Sequence, residues 1–266
     1  MRIPIPFRKK PPLVATIRLS GAIAASARGN TISDQTMAPQ IERAFNKGKP
    51  AAVALVINSP GGSPVQSSLI AARIRRLAAE KEIKVYAFVE DVAASGGYWL
   101  ACAADEIWVD PTSIVGSIGV VYASFGFPEL LAKHGVERRV HTAGKSKSML
   151  DPFRPEKPDD IKKLKSWQGQ MHDVFIEHVK NARGDRLADN ADLFTGDIWV
   201  GQKSIDNGLA DGIGHVVPKM KEVFGDKVRF QNYGPKRGFL QRFGTQISGD
   251  ALALAEERAM FARFGL

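Results

Sequence analysis

Two short runs set a hydroxyl beside paired glycines: Asn58-Ser59-Pro60-Gly61-Gly62-Ser63 and Ala93-Ala94-Ser95-Gly96-Gly97-Tyr98. In the second, alanines precede Ser95 and glycines follow it, so little side-chain bulk hinders attack on a carbonyl carbon. A helix beginning at this point would offer backbone N–H groups and a dipole to a developing negative charge. The Gly61-Gly62 turn can supply a second N–H to the same space, and together the runs make an oxyanion hole. Taken alone, Ser95 reads first as a helix N-cap.

A serine hydroxyl needs a base. His172 and His178 fall in a long helical pattern, His134 at a helix end, His141 in a predicted strand and His215 in a glycine-rich loop, and the sequence places no companion acid for any of them. Lysine is the alternative, as Ser-Lys variants of triad chemistry exist. A lysine base must drop from the ordinary value of about 10.4 to near neutrality, a change of about 4 kcal/mol that burial can provide. Candidates lie in Thr142-Ala143-Gly144-Lys145-Ser146-Lys147-Ser148. Residue types alone do not choose between Lys145 and Lys147.

The elements that must position these groups alternate between strand and helix. Leu13 to Leu19 reads as a strand, and Thr36 to Asn46 as a helix burying Met37, Ile41, Ala44 and Phe45. The unbroken apolar run Ala51 to Ile57 predicts a strand covered on both faces. A helix over Val65 to Glu80 places Leu69, Ile70, Ile74 and Leu77 inward, and the unit repeats with a strand at Lys84 to Val89, a turn at Asp91 to Gly97 and a helix at Gly96 to Ala104. Strands are predicted at Glu106 to Val109, Ile118 to Tyr122 and Glu137 to Thr142, and a helix at Glu129 to His134. An amphipathic helix over Asp159 to Ala182 is followed by helices at Gly201 to Asn207, Val217 to Phe224 and Asp250 to Phe264. Strands alternating with helices imply βαβ units in a mostly parallel sheet, whose carboxyl ends face the ligand crevice and carry both glycine runs.

Composition narrows the function. The formal net charge of +9 is concentrated at the ends: residues 1–12 carry +4, and residues 219–266, with nine basic and five acidic side chains, another +4. A nearly neutral body argues against nucleic acid, and basic ends suit peripheral contact with an anionic membrane face. No signal peptide or spanning helix is predicted, which points to the cytoplasm. Cys102, the single cysteine, excludes an internal disulfide framework and a cysteine zinc site; within an apolar run it reads as packing. No metal or cofactor enters the chemistry. The expected organisation is a basic tail over 1–12, a catalytic domain over 13–218 and a basic extension over 219–266.

The glycine runs, with Ala101 to Asp105, Ile114-Val115-Gly116-Ser117-Ile118-Gly119 and Gly196 to Gly214, together resemble the S49 peptidases, the group of signal peptide peptidase A, protease IV and SohB. The last block carries Ser204 where alanine is usual. The resemblance implies a ClpP/crotonase-like α/β fold of repeated ββα units. It implies Ser95 as nucleophile, and Lys147 rather than Lys145 as base, because the family's lysine lies 52 positions on. Gly62 and Gly96 would donate oxyanion N–H groups, Ser117 would orient the lysine, and Gly61 and Tyr98 would line a groove for small or apolar residues of a peptide or protein substrate. It implies a homo-oligomeric ring with dyads shared between neighbouring subunits. Members act on residual signal peptides behind an N-terminal anchor, whereas this chain starts basic and proline-rich. Two rivals remain: a crotonase-like acyl-CoA enzyme, for which Asp91 is the one acid beside either junction, and a catalytically silent membrane-associated scaffold.

Overall fold

The computed structural model describes residues 11–25, 31–144, 146–234 and 258–266. The chain divides into two units, one running up to Ile118 and resuming at His178, the other Gly119–Glu177.

The larger unit is built on one sheet. Strands β1 (Leu13–Ser20), β2 (Ala52–Ser59) and β3 (Lys84–Ala94) lie parallel side by side. At the far end of β3, the first half of the strand pairs with β4 (Glu106–Val109) and the second half with β5 (Ile114–Gly116). Beyond β5 runs β6 (Ile198–Val200), antiparallel, and β4 takes β7 (Gly212–Ile213) on its other side. On the opposite edge β8 (Arg229–Tyr233) pairs with β1, so chain beyond residue 218 contributes a strand to this sheet.

Both sheet faces are covered, as the unbroken hydrophobicity of β2 requires. One face carries helices α1 (Asp34–Asn46), α2 (Pro64–Lys81) and α3 (Gly96–Ala101). α1 buries Met37, Ile41, Ala44 and Phe45, the four residues predicted, and starts on a capping box between Ser33 and Thr36. α2 buries Ile70, Ile74 and Leu77, but Leu69 lies 46% exposed, outside the stripe assigned to it. The other face packs Val14, Ala52, Ala54, Tyr86 and Phe88 against Met220 of α7 (Val216–Phe224), with Trp108 and Phe230 at its margin. A short helix α6 (Gln202–Asp206) precedes β7.

Several expectations are corrected. The turn placed at Asp91–Gly97 is strand as far as Ala94, because Val92, Ala93 and Ala94 find partners in Ile114, Val115 and Gly116. The strand expected at Ile118–Tyr122 is instead β5, which starts four residues earlier. Positive φ at Gly116 (107°) and Ser117 (51°) turns the chain off the ladder there. Glu137–Thr142 forms no strand: its side chains are mostly exposed, and among the described residues no strand pairs with it. The expected helix at Asp250–Phe264 is seen as helix over 258–262, residues 250–257 lying outside the described ones. The basic residues of 1–10 also lie outside.

The unit Gly119–Glu177 contains α4 (Pro128–Lys133) and most of α5 (Pro158–Arg183), which ends in the larger unit. Its rings form a small cluster, Phe127 lying 6.4 Å from Phe125 and 5.7 Å from Phe153. The Arg138 guanidinium lies over Phe153 and pairs with Asp151. The apolar stripe predicted along α5 divides: Phe175 and Val179 are buried, while Trp167, Met171 and Val174 are exposed.

Candidate active site

Ser95 stands between the last residue of β3 and the first of α3, with φ 52° and ψ −121°. A non-glycine residue there costs about 1–3 kcal/mol and persists only where its surroundings impose it. The imposing bonds lie on either side: Ser95 N–H donates to the Gly116 carbonyl at 2.8 Å, and the Ser95 carbonyl accepts from Trp99 N–H at 3.0 Å. The N-cap alternative is not realised, since the side chain makes no capping hydrogen bond. Ser95 is half-buried, a hydroxyl raised on a sharp strand-to-helix turn.

The two glycine runs meet backbone to backbone. A Cβ at Gly61 would lie 2.8 Å from Ser95 Cβ and 2.9 Å from Gly96 N, and one at Gly97 would lie 2.4 Å from the Ser59 carbonyl oxygen. Only glycine allows this approach. Gly96 opens α3, so its N–H has no acceptor within the helix. A Cβ on Gly96 would sit 3.3 Å from Gly62 N, which brings both amides to one place beside Ser95. Ser117 follows directly on Gly116, the residue bonded to Ser95, and is half-buried.

The remaining candidates separate. Lys147 belongs to the unit Gly119–Glu177, where its N–H donates to the Gly144 carbonyl at 3.1 Å in an exposed turn; Lys145 lies outside the described residues. Tyr98 does not line a groove. It is fully buried and its hydroxyl donates to the Leu209 carbonyl at 2.8 Å, because the first turn of α3 points that ring into the core. Trp99, also buried, stacks on His178 at 4.3 Å, and His178 Nε2 lies 3.1 Å from the Trp99 carbonyl oxygen. Burial holds the His178 imidazole below its ordinary pKa, against the smaller opposing effect of that carbonyl.

Cys102 is packing, as expected, with burial pushing its thiol up to about 12. Asp91 accepts from the Asn58 amide at 2.6 Å. Reading by residue type missed two features. His215 does have a companion acid, Asp110, at 3.0 Å from Nε2; the Thr112 hydroxyl and N–H, with His215, lower the Asp110 carboxyl to about 2. The second is the segment after β1, where Gly21 bonds Asn58 and Ser59 and Ile23 bonds Gly61 and Ser63; the apolar Ala22-Ile23 pair resuming after a glycine was its signal.

Comparison with known proteins shows the family. The model of peptidase family S49 matches residues 78–223, more than half the chain, and the match includes Ser95 and Lys147. The chain belongs to peptidase family S49. It is similar to the probable protease SohB of Haemophilus influenzae, 33% identical over 75% of this chain and 56% of that protein. It is also similar to the putative signal peptide peptidase SppA of Enterococcus faecium, 29% identical over 76% of this chain and 60% of that protein. A Brucella melitensis protein named Na(+)/H(+) antiporter NhaA is 48% identical over 99% of this chain, which spans only 38% of it. Among the described residues no helix is long and apolar enough to cross a membrane. A solved structure of a mutant of the 1510-N membrane-bound stomatin-specific protease superposes with a TM-score of 0.50 at 15% identity, over 86% of this chain and all of that one. The fold is the ClpP/crotonase-like α/β fold of this serine-peptidase family.

Proposed function

We propose that this S49 member is a serine endopeptidase in which Ser95 is the nucleophile and Lys147 the general base. The observation that supports the reading is the strained, uncapped Ser95 turn packed against Gly61-Gly62, with the Gly62 and Gly96 nitrogens close by. An uncharged Lys147 amine takes the Ser95 proton as Oγ attacks the scissile carbonyl, and Ser117 orients that amine. The oxyanion accepts hydrogen bonds from Gly62 and Gly96, one such donor being worth about 10²–10³ in rate. The lysine then returns its proton to the departing amine, and water hydrolyses the acyl-enzyme by the same route. Substrates carry small or apolar residues before the cleaved bond, as membrane-associated polypeptides and residual signal peptides do. The names of the SohB and SppA relatives support this direction.

Lys147 and Ser95 belong to different units, and the proposed assembly is a homo-oligomeric ring in which Ser95 of one chain meets Lys147 of its neighbour. Hydrolysis of a fluorogenic peptide library by wild type, Ser95→Ala, Lys145→Ala and Lys147→Ala tests nucleophile and base together. The expected result is loss of about 10³-fold or more in kcat for Ser95→Ala and Lys147→Ala, with Lys145→Ala active. Mixing the two inactive variants restores part of the activity if dyads are shared, and no recovery after verified subunit exchange contradicts sharing.

A further inference from the structure

The peptide joining Gly61 to Gly62 decides whether an oxyanion at this wall of the site would meet an N–H or a carbonyl, and one residue outside both glycine runs sets it. β1 ends at Ser20 opposite Asn58, but its hydrogen bonding continues. Gly21 N–H donates to the Asn58 carbonyl at 2.9 Å, and the Gly21 carbonyl accepts the Ser59 hydroxyl at 2.7 Å. Ile23 then donates its N–H to the Gly61 carbonyl at 2.8 Å and accepts Ser63 N–H on its own carbonyl at 2.7 Å. This is a parallel bridge between Ile23 and Gly62. In such a bridge one residue bonds the neighbours on both sides of its partner, so the partner turns its own N–H to the opposite edge. That edge is where Gly96 and Ser95 lie.

The closeness of the bridge is why residue 62 is glycine: a Cβ there would stand 2.0 Å from the Ile23 carbonyl oxygen, at φ +141°. The Ile23 side chain reaches the second amide too. It is 2% exposed, and its Cδ1 lies 3.2 Å from where a Cβ of Gly96 would be.

We infer that Ile23 is a positioning residue that presets the oxyanion site: its N–H, bonded to the Gly61 carbonyl, keeps the Gly62 N–H aimed at Ser95 before substrate arrives. The inference rests on the peptidase reading above. Turning the 61–62 peptide over would break the Ile23 bond and bring a carbonyl to the oxyanion position.

The test replaces single backbone N–H groups by ester oxygens, introducing the 2-hydroxy acid analogue of isoleucine at 23 in the full chain. The control is the 2-hydroxy acid analogue of isoleucine at 32, which removes the Ile32 N–H bond to the Ala22 carbonyl, 2.8 Å long in the same loop, and leaves both Ile23 bonds intact. The ester at 23 is expected to lower kcat on a fluorogenic peptide about tenfold or more with KM within about twofold, and the ester at 32 to keep kcat within about twofold of wild type. Equal losses in the two esters, or wild-type kcat in the first, overturn the inference. Should the ester at 23 not fold, a crystal structure of the unliganded wild type decides. A Gly61 carbonyl on Ile23 N–H supports presetting, and one turned toward Ser95 overturns it. A wild type without Ser95-dependent hydrolysis overturns the underlying peptidase reading instead.

Discussion

At the scale of single residues, the site depends on what has no side chain. The sequence shows Ser95 among alanines and glycines, and from this its accessibility and the amides proposed to hold an oxyanion can be read. Its left-handed φ cannot be read there, because it is imposed by Gly116 on one side and the first turn of α3 on the other. Nor could Tyr98 be told from a groove residue before its hydroxyl was found on the Leu209 carbonyl, 111 positions away. Gly61 gives the sharpest substitution. With φ +102° and a Cβ 2.8 Å from that of Ser95, Gly61→Ala must shift the nucleophile or the Gly62 amide. Its kcat is expected to fall about 10²-fold or more, with a lowered Tm, while Gly225→Ala, at an open turn, keeps kcat near wild type.

At the scale of elements, hydrophobic patterning located α1, α2 and the three central strands, since these bury a stripe or both faces. It failed where an element exists only through a partner. β5 is three residues of Ile114–Gly116 recruited by the far end of β3, and Glu137–Thr142 has strand-like composition but no ladder. α3 is too short for periodicity and is held by its neighbours, Tyr98 on Leu209 and Trp99 on His178. The last contact makes a pH prediction. Burial lowers the His178 pKa in the folded state below the unfolded value of about 6.5. The unfolded chain therefore binds the proton more readily, so this contribution to stability is present above about pH 6.5 and is lost as pH falls toward the lowered folded value. Thermal unfolding between about pH 7.5 and 5.5 should show Tm falling with acidity, and His178→Phe should flatten that slope. An unchanged slope in the variant would remove His178 from the account.

At the scale of the whole molecule, the C-terminal end of α5 is locked to the sheet by a buried ion pair. Arg183, its side chain 1% exposed, donates to both Asp211 oxygens at 2.8 and 3.0 Å and to the Gly208 carbonyl at 2.8 Å. Asp211 also accepts Ile107 N–H at 2.6 Å. Burial pushes the Asp211 carboxyl up, but Arg183 and the Ile107 N–H outweigh it and leave it below the ordinary value. Arg183→Met leaves that carboxylate to Arg186, 3.2 Å away, and to the Ile107 N–H, and should cost about 3 kcal/mol in denaturant unfolding, whereas a loss under about 1 kcal/mol would show the pair to be dispensable. The sequence exposed this region only as the Gly196–Gly214 block; the pairing of Asp211 with a helix 28 positions earlier is tertiary.

The proposed mechanism rests on one covalent event, the attack of the Ser95 oxygen on an electrophile held by backbone amides. Treatment of the full chain with a fluorophosphonate, followed by mass spectrometry of its peptides, measures that event directly. A single adduct on Ser95 in wild type, absent from Ser95→Ala, is the predicted result. An adduct on another residue, or an unmodified Ser95 in folded, assembled protein, would contradict it.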